Sequence, residues 1–329
     1  MLKNKFDYNN AKFERIKCNL CGQNNFFILS EKSANGLNTR TCLCKNCGFI
    51  YINPRMTRLE YNEYYKYHRY KSRAKIKGIK PFETGNGFEN SKKFGRVLAN
   101  KLQKYIVKGL TLDVGSGTGG ILLGLKEILS NIEVVGIEPS INKANYAESK
   151  GVKTYNCLFE DFKNDSVDLF SNIICVQSLN HLLNPRKFFE WSYDNLKHGG
   201  NLILAVKNFC HQTRRCSSIS GAVQIDHPCM FTPETLKYFV ETVGFKVIFI
   251  DIDEKKNKQE LNRQRKNGMH VHHFRLVAQK IENKRIIISK PKNRKNYLKL
   301  RIKLSRIAVK FWYYVFYANK IKFIKKIIS

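Results

Sequence analysis

Acidic residues are scarce: 26 Asp and Glu stand against 59 Lys and Arg in 329 residues, a formal charge of +33. That imbalance invites partners that carry phosphate or lie on an anionic membrane. The joint wealth of Lys, Asn and Ile, which looks like AT-biased coding, accounts for it equally well over most of the chain. Long apolar runs are missing too. None reaches the ~18 to 20 residues that would cross a bilayer, so no membrane span is expected. The start, MLKNKFDYNN, lacks the apolar core of a secretory leader, which together with ten cysteines argues for a reducing, cytoplasmic setting. There is no internal repeat. What is present is a chain with 43% apolar residues, enough to bury one catalytic-size domain with one or two small attachments.

Four zones are legible. Residues 1–60 hold five of the ten cysteines and read as a zinc-binding ribbon; 61–100 are aromatic and basic, a helical lid or linker; 101–282 alternate strand-like and helix-like stretches; 283–329 are basic and apolar. In the third zone TLDV predicts a buried strand, GILLGLKEIL a helix, IEVVGIE a strand and SINKANYAESKG a helix ended by glycine. VDLFSNIICVQ, PRKFFEWSYDNLKHGG, NLILAVKN and PETLKYFVETVG continue the alternation. This is βαβα repetition, hence an α/β fold with a mostly parallel sheet covered on both faces. The final strands, FKVIFIDID and HHFRLVAQK, have no helical period between them, which predicts an antiparallel pair at the sheet edge.

The loop LDVGSGTGG at 112–120 follows the first strand and opens the first helix. Gly115, Gly117 and Gly120 fit a dinucleotide fingerprint, and such a loop lets backbone N–H groups approach a ligand. Its neighbours narrow the ligand. Asp113, two residues before the first glycine, would repel a pyrophosphate and accept from an ammonium group. Glu138, ending the second strand, can take both hydroxyls of a ribose. Asp161, in CLFEDF, lies where an acid can accept from an adenine amino group, unless it or Glu160 is simply a surface acid. At these residues the chain resembles the class I S-adenosylmethionine-dependent methyltransferases, whose fold is a seven-stranded Rossmann-like sheet with a reversed last strand. The resemblance covers roughly residues 100–282. It implies that Asp113, Gly115, Gly117 and Gly119 line the amino-acid part of S-adenosylmethionine, that Glu138 binds its ribose and Asp161 its adenine, and that Gln177 also contacts the cofactor.

CNLCG at 18–22 and CKNCG at 44–48 are two C-x₂-C knuckles with the spacing of tetrahedral Cys₄ zinc sites. Cys42 offers a third thiol in the second knuckle. We assign Zn²⁺ to Cys18, Cys21, Cys44 and Cys47 and leave Cys42 as a spare. The metal folds a segment too small to have a core of its own. The order that follows, an apolar strand, Pro54 and the paired Tyr64 and Tyr65, resembles the amino-terminal zinc-binding module of bacterial sugar C-methyltransferases over about residues 15–70.

Two of the eight histidines fall where an acceptor would meet the cofactor. His181 follows the fourth strand and His227 lies in a loop beyond the fifth. In the sugar C-methyltransferases a histidine occupies the first place and a Tyr-x-Glu-His run the second; here the second reads Gln224-Ile225-Asp226-His227, and Asn180 stands where many relatives carry glutamate. A histidine oriented by the Asp226 carboxylate is a good proton acceptor near pH 7. A capping or hydrogen-bonding histidine is the plainer alternative at each position. The run MHVHHF at 269–274 would be split between two faces of a strand and reads as edge-strand surface.

From Lys284 onward there are fifteen Lys or Arg and no acid. Leu300, Leu304, Ile307, Phe311, Tyr314, Ala318 and Ile321 share one helical face, with Lys299, Lys303, Arg306, Lys310 and Lys320 on another. This amphipathic tail suits peripheral contact with the inner face of a membrane; packing on the protein's own domain, on a partner, or on RNA are the alternatives. The expected function is methylation of a sugar, nucleotide-linked or in a glycan, at carbon or oxygen. A nucleic-acid methylase is disfavoured because the segment after the fourth strand, SLNHLLNP, lacks an Asn/Asp-Pro-Pro-aromatic run. A quinone or lipid precursor is the third acceptor class.

Overall fold

The computed structural model describes residues 6–67, 84–163, 169–281, 295 and 297–304. Its centre is a seven-stranded sheet built from β6 (Gly109–Val114), β7 (Ile132–Ile137), β8 (Thr154–Tyr155), β9 (Phe170–Val176), β10 (Leu196–Lys207), β12 (Phe245–Ile252) and β13 (His273–Lys280). The spatial order is β12-β13-β10-β9-β6-β7-β8. β8, β7, β6, β9 and β10 run parallel, while β13 is antiparallel to both β10 and β12. Every residue of β9 is buried, as expected of a parallel strand covered on both faces. The mostly parallel sheet and its reversed last strand agree with the sequence reading.

Two local expectations need correction. A helix, Lys258–Lys266, does lie between β12 and β13, but none of its residues is buried. An apolar helical period arises only where one face packs on a core, so this helix left none in the sequence. The run at 269–274 is not edge-strand surface either. β13 sits between β10 and β12, His273 is buried, and the His270 ring stacks on Phe94 at 4.4 Å between centroids.

The helix Thr84–Leu102 packs on the helix Gly120–Ile128 that follows the glycine loop. Their backbones nearly touch: a Cβ on Gly124 would lie 2.1 Å from the Lys92 carbonyl oxygen, and one on Gly95 2.3 Å from that of Ile121. At the end of β12 and β13 the fully buried Arg275 grips Asp253 through two hydrogen bonds of 2.7 and 3.2 Å.

The cysteine-rich segment forms a second sheet of β2 (Phe26–Lys32), β3 (Asn38–Cys44) and β4 (Ile50–Ile52). A fourth strand, β11 (Cys229–Met230), joins β4 from far along the chain, so this sheet is not completed within residues 1–60. Residues 297–304 are helical. Tyr297, Leu300 and Leu304 are buried against Leu43, Ile50 and Phe209, and Lys303 pairs with Glu254 at 2.9 Å. Leu300 and Leu304 therefore face the protein itself. The remaining tail residues singled out above, from Arg306 to Ile321, lie outside the described residues.

Candidate functional site

The carboxyl ends of β6, β7 and β9 converge on the glycine loop. Gly115, Gly117 and Gly119 have φ of 81°, 60° and 77°, a left-handed backbone that glycine adopts at little cost. Ser178, just past β9, donates to the Gly115 carbonyl oxygen at 3.2 Å, and a Cβ on Gly115 would meet its Oγ at 2.4 Å. Gly120, the last glycine of the dinucleotide reading, instead faces the Phe88 carbonyl oxygen across the helix pair.

Asp113 is 1% exposed, and its Oδ1 has no hydrogen-bond partner among the described residues. Burial, with Glu138 nearby, pushes its carboxyl up to about 8. A buried acceptor without a donor is costly, and a cationic ligand would relieve it. Glu138 orders the loop: its Oε2 accepts from Gly117 N–H at 2.9 Å and its Oε1 from Ser140 N–H at 2.9 Å. Each carboxylate oxygen keeps a further lone pair. Asn156, which the sequence reading passed over, holds the Glu138 carbonyl oxygen at 2.9 Å. Asp161 is exposed and sits 3.5 Å from Arg58 of the helix Arg58–Tyr67. Gln177 has a φ of 59°, rare for a residue with a side chain, and its amide contacts His270.

His181, His227 and Asp226 come together beyond β9. The imidazole centroids are 4.6 Å apart. Asp226 Oδ2 is 4.0 Å from His181 Nδ1, and its Oδ1 is 4.0 Å from His227 Nε2. His181 Nδ1 also lies 2.7 Å from the backbone oxygen of Asp226 and 2.8 Å from the Tyr65 hydroxyl, which itself donates to that oxygen at 3.0 Å. A carbonyl oxygen only accepts, so Nδ1 carries the hydrogen and Nε2 keeps the lone pair. That tautomer is set up to take a proton at Nε2.

Tyr65 entered the sequence reading only as one of the paired tyrosines of the resemblance over residues 15–70, and Tyr61 not at all. Both lie on the helix Arg58–Tyr67, and Tyr61 donates to the Ile225 carbonyl oxygen at 3.1 Å. Asn180 donates to the Cys229 carbonyl oxygen at 3.0 Å.

The sulfurs of Cys18, Cys21, Cys44 and Cys47 all lie within 4.8 Å of one another, and all four residues are buried. Cys42 is outside this group. Its thiol points to the Asn53 carbonyl oxygen at 3.7 Å, and burial raises its pKa to about 12.

Residues 92–249 match the family model of a methyltransferase domain. A stretch of 84 residues is 31% identical to (S)-tetrahydroprotoberberine N-methyltransferase of Eschscholzia californica, covering 24% of each chain; the match spans about a quarter of that relative's length. Among solved structures, the plantazolicin methyltransferase BamL in complex with a triazolic desmethyl analogue and SAH is similar at 14% identity and a TM-score of 0.49, covering 68% of this chain and 96% of that one. A SAM-dependent methyltransferase from Archaeoglobus fulgidus is similar at 18% identity and a TM-score of 0.44, covering 58% and 97%. The residues that match the methyltransferase-domain model run from the helix Thr84–Leu102 through β6, β7, β8, β9 and β10 into β12 of the seven-stranded sheet.

Proposed function

We propose that the protein methylates a sugar, nucleotide-linked or part of a glycan under assembly, at carbon or oxygen, with His181 or His227 as proton acceptor. The observation that carries this reading is the His181–Asp226–His227 group, with the His181 tautomer held by a backbone oxygen and Tyr65. S-adenosylmethionine supplies the methyl group as a sulfonium. Asp113, Gly115, Gly117 and Gly119 would hold its amino-acid part, Glu138 its ribose and Asp161 its adenine, with Gln177 alongside. The orphaned Asp113 oxygen fits an ammonium group. The lone pair on His181 Nε2 would take the proton that leaves the acceptor, and Asp226 would steady the imidazolium formed. The choice of a sugar rests on the resemblance of residues 15–70 and of the two histidines to the sugar C-methyltransferases.

The test incubates the purified protein with labelled S-adenosylmethionine and a panel of nucleotide-sugars, with His181→Ala and His227→Ala alongside. Loss of the general base should slow transfer by about 10²- to 10⁴-fold. If neither substitution slows it, the base assignment fails. Label appearing instead in a defined nucleotide of RNA, or in a quinone precursor, would replace the sugar.

The four buried cysteines suit a structural Zn²⁺. Zinc–sulfur bonds of about 2.3 Å place tetrahedral sulfurs about 3.8 Å apart, and the Cys18–Cys47 and Cys21–Cys44 sulfur pairs are at 3.5 Å. Peripheral membrane contact through the basic tail is the accompanying proposal. Removing residues 305–329, which keeps the packed Tyr297, Leu300 and Leu304 in place, should release the protein from membrane fractions, and unchanged pelleting would sink it.

A further inference from the structure

The knuckle at Cys18–Cys21 touches both chain segments that carry the site histidines. Arg186 is the second residue of the helix Pro185–Asn195, five residues after His181. Its Nε donates to the Asn19 carbonyl oxygen at 3.1 Å and its Nη2 to that of Leu20 at 2.5 Å. These are the two residues between the paired cysteines. The guanidinium lies over Phe239, 5.4 Å from the ring centroid, and pairs with Glu190 at 3.6 Å. On the other side, the Asn19 side-chain oxygen faces the Cys229 thiol at 3.9 Å, two residues after His227. Cys229 and Met230 pair with Tyr51 and Ile50 of β4, and Ile52 N–H donates to the Pro228 carbonyl oxygen at 3.0 Å. Asn180, next to His181, donates to the Cys229 carbonyl oxygen.

We infer that Arg186 is a positioning residue: by clamping the Cys18–Cys21 turn to the His181 segment, it holds that segment in register with the β4–β11 pairing that carries His227. Arg186 is suited to this because a planar fork can hold two adjacent carbonyl oxygens at once. With the knuckle gripped on one side and β11 paired on the other, the Asp226 backbone oxygen stays where His181 Nδ1–H meets it. The inference rests on the reading that these cysteines hold a metal and that the histidines move a proton, but its test needs no acceptor.

The full chain, metal-loaded and labelled with ¹⁵N-histidine, is compared with Arg186→Ala by long-range ¹H–¹⁵N correlation, with His181→Gln and His227→Gln assigning the signals. The parent should show His181 in the Nδ1–H form. In Arg186→Ala that population should fall roughly twofold or more toward a mixture of tautomers, while one metal ion per chain is retained. An unchanged His181 tautomer overturns the inference. So does loss of the metal from Arg186→Ala, since the residue would then serve only to build the knuckle. Arg186→Lys, which keeps the charge but not the fork, takes the same criterion if the alanine variant does not fold. Once an acceptor is known, Arg186→Ala should lower kcat by about 10- to 100-fold with cofactor affinity unchanged; a loss confined to cofactor affinity also overturns it.

Discussion

Asp113 shows how one residue can be legible in kind and illegible in state. Its place before the glycines marks it as a candidate cofactor contact, but only the structure buries it and leaves its Oδ1 without a partner among the described residues. With burial and Glu138 pushing the carboxyl up to about 8, the cofactor-free chain carries it largely protonated at neutral pH. A cationic ligand prefers the ionised form, so binding should release a proton below that pH. Affinity should rise toward pH 8 by at most about tenfold per unit, and Asp113→Asn should remove the dependence. Calorimetric titration in buffers of different ionisation enthalpy reads the proton count, and a count of zero in the parent would refute the assignment. Because the folded value is raised, this group's contribution to stability is full in acid and is lost as pH climbs toward 8. Cofactor-free Asp113→Asn should therefore melt above the parent at pH 8.

Among the elements, most strands and helices of residues 109–252 were readable because burial imprints a period on the sequence, but the short helix Phe209–Arg215 and β11 were not read. The helix Lys258–Lys266 was not, because it buries nothing. The two glycine-notched helices carry a sharper expectation. A side chain at Gly124 would drive into the Lys92 carbonyl oxygen, so Gly124→Val should destabilise the fold by about 1–3 kcal/mol, measured by denaturant unfolding. A neutral result would mean the helices can slide apart. At the other end of the sheet, Arg275→Met would leave Asp253, which is fully buried, without its two-pronged partner. Breaking such a pair costs about 3–5 kcal/mol. Asp253 also accepts from Lys256 and from the His273 N–H, which places the loss at the lower end of that range. The double change to two apolar residues should recover most of it.

For the whole molecule, the two sheets share one apolar core, and a short strand joins the Arg186 contacts in linking them. β11 belongs by sequence to the segment that matches the methyltransferase-domain model and by pairing to the cysteine-rich sheet. With Zn²⁺ on the four cysteines as proposed, its removal by a chelator should therefore disturb more than residues 1–60. Loss of amide protection should extend to residues 225–231, while the helix Gly120–Ile128 keeps its protection; hydrogen exchange distinguishes this from a change confined to the ribbon. The tail divides as well. Leu300 and Leu304 pack on the protein itself, so any surface-seeking face must come from other residues. Among the described residues no helix is long and apolar enough to cross a membrane.

The sequence by itself determined what short-range geometry controls: the α/β alternation, the glycine loop with its acids, and two knuckles whose sulfurs converge because each pair spans one tight turn. Tertiary structure alone decided what depends on segments far apart in the chain. Tyr65 meets His181, Arg186 meets the carbonyl oxygens of Asn19 and Leu20, and β11 completes the sheet of β4. A tyrosine on a helix or an arginine in its first turn has no local signature for such a role. Its partner is chosen by where the sheets bring the backbone oxygens, and a buried carbonyl oxygen takes whichever donor the fold delivers.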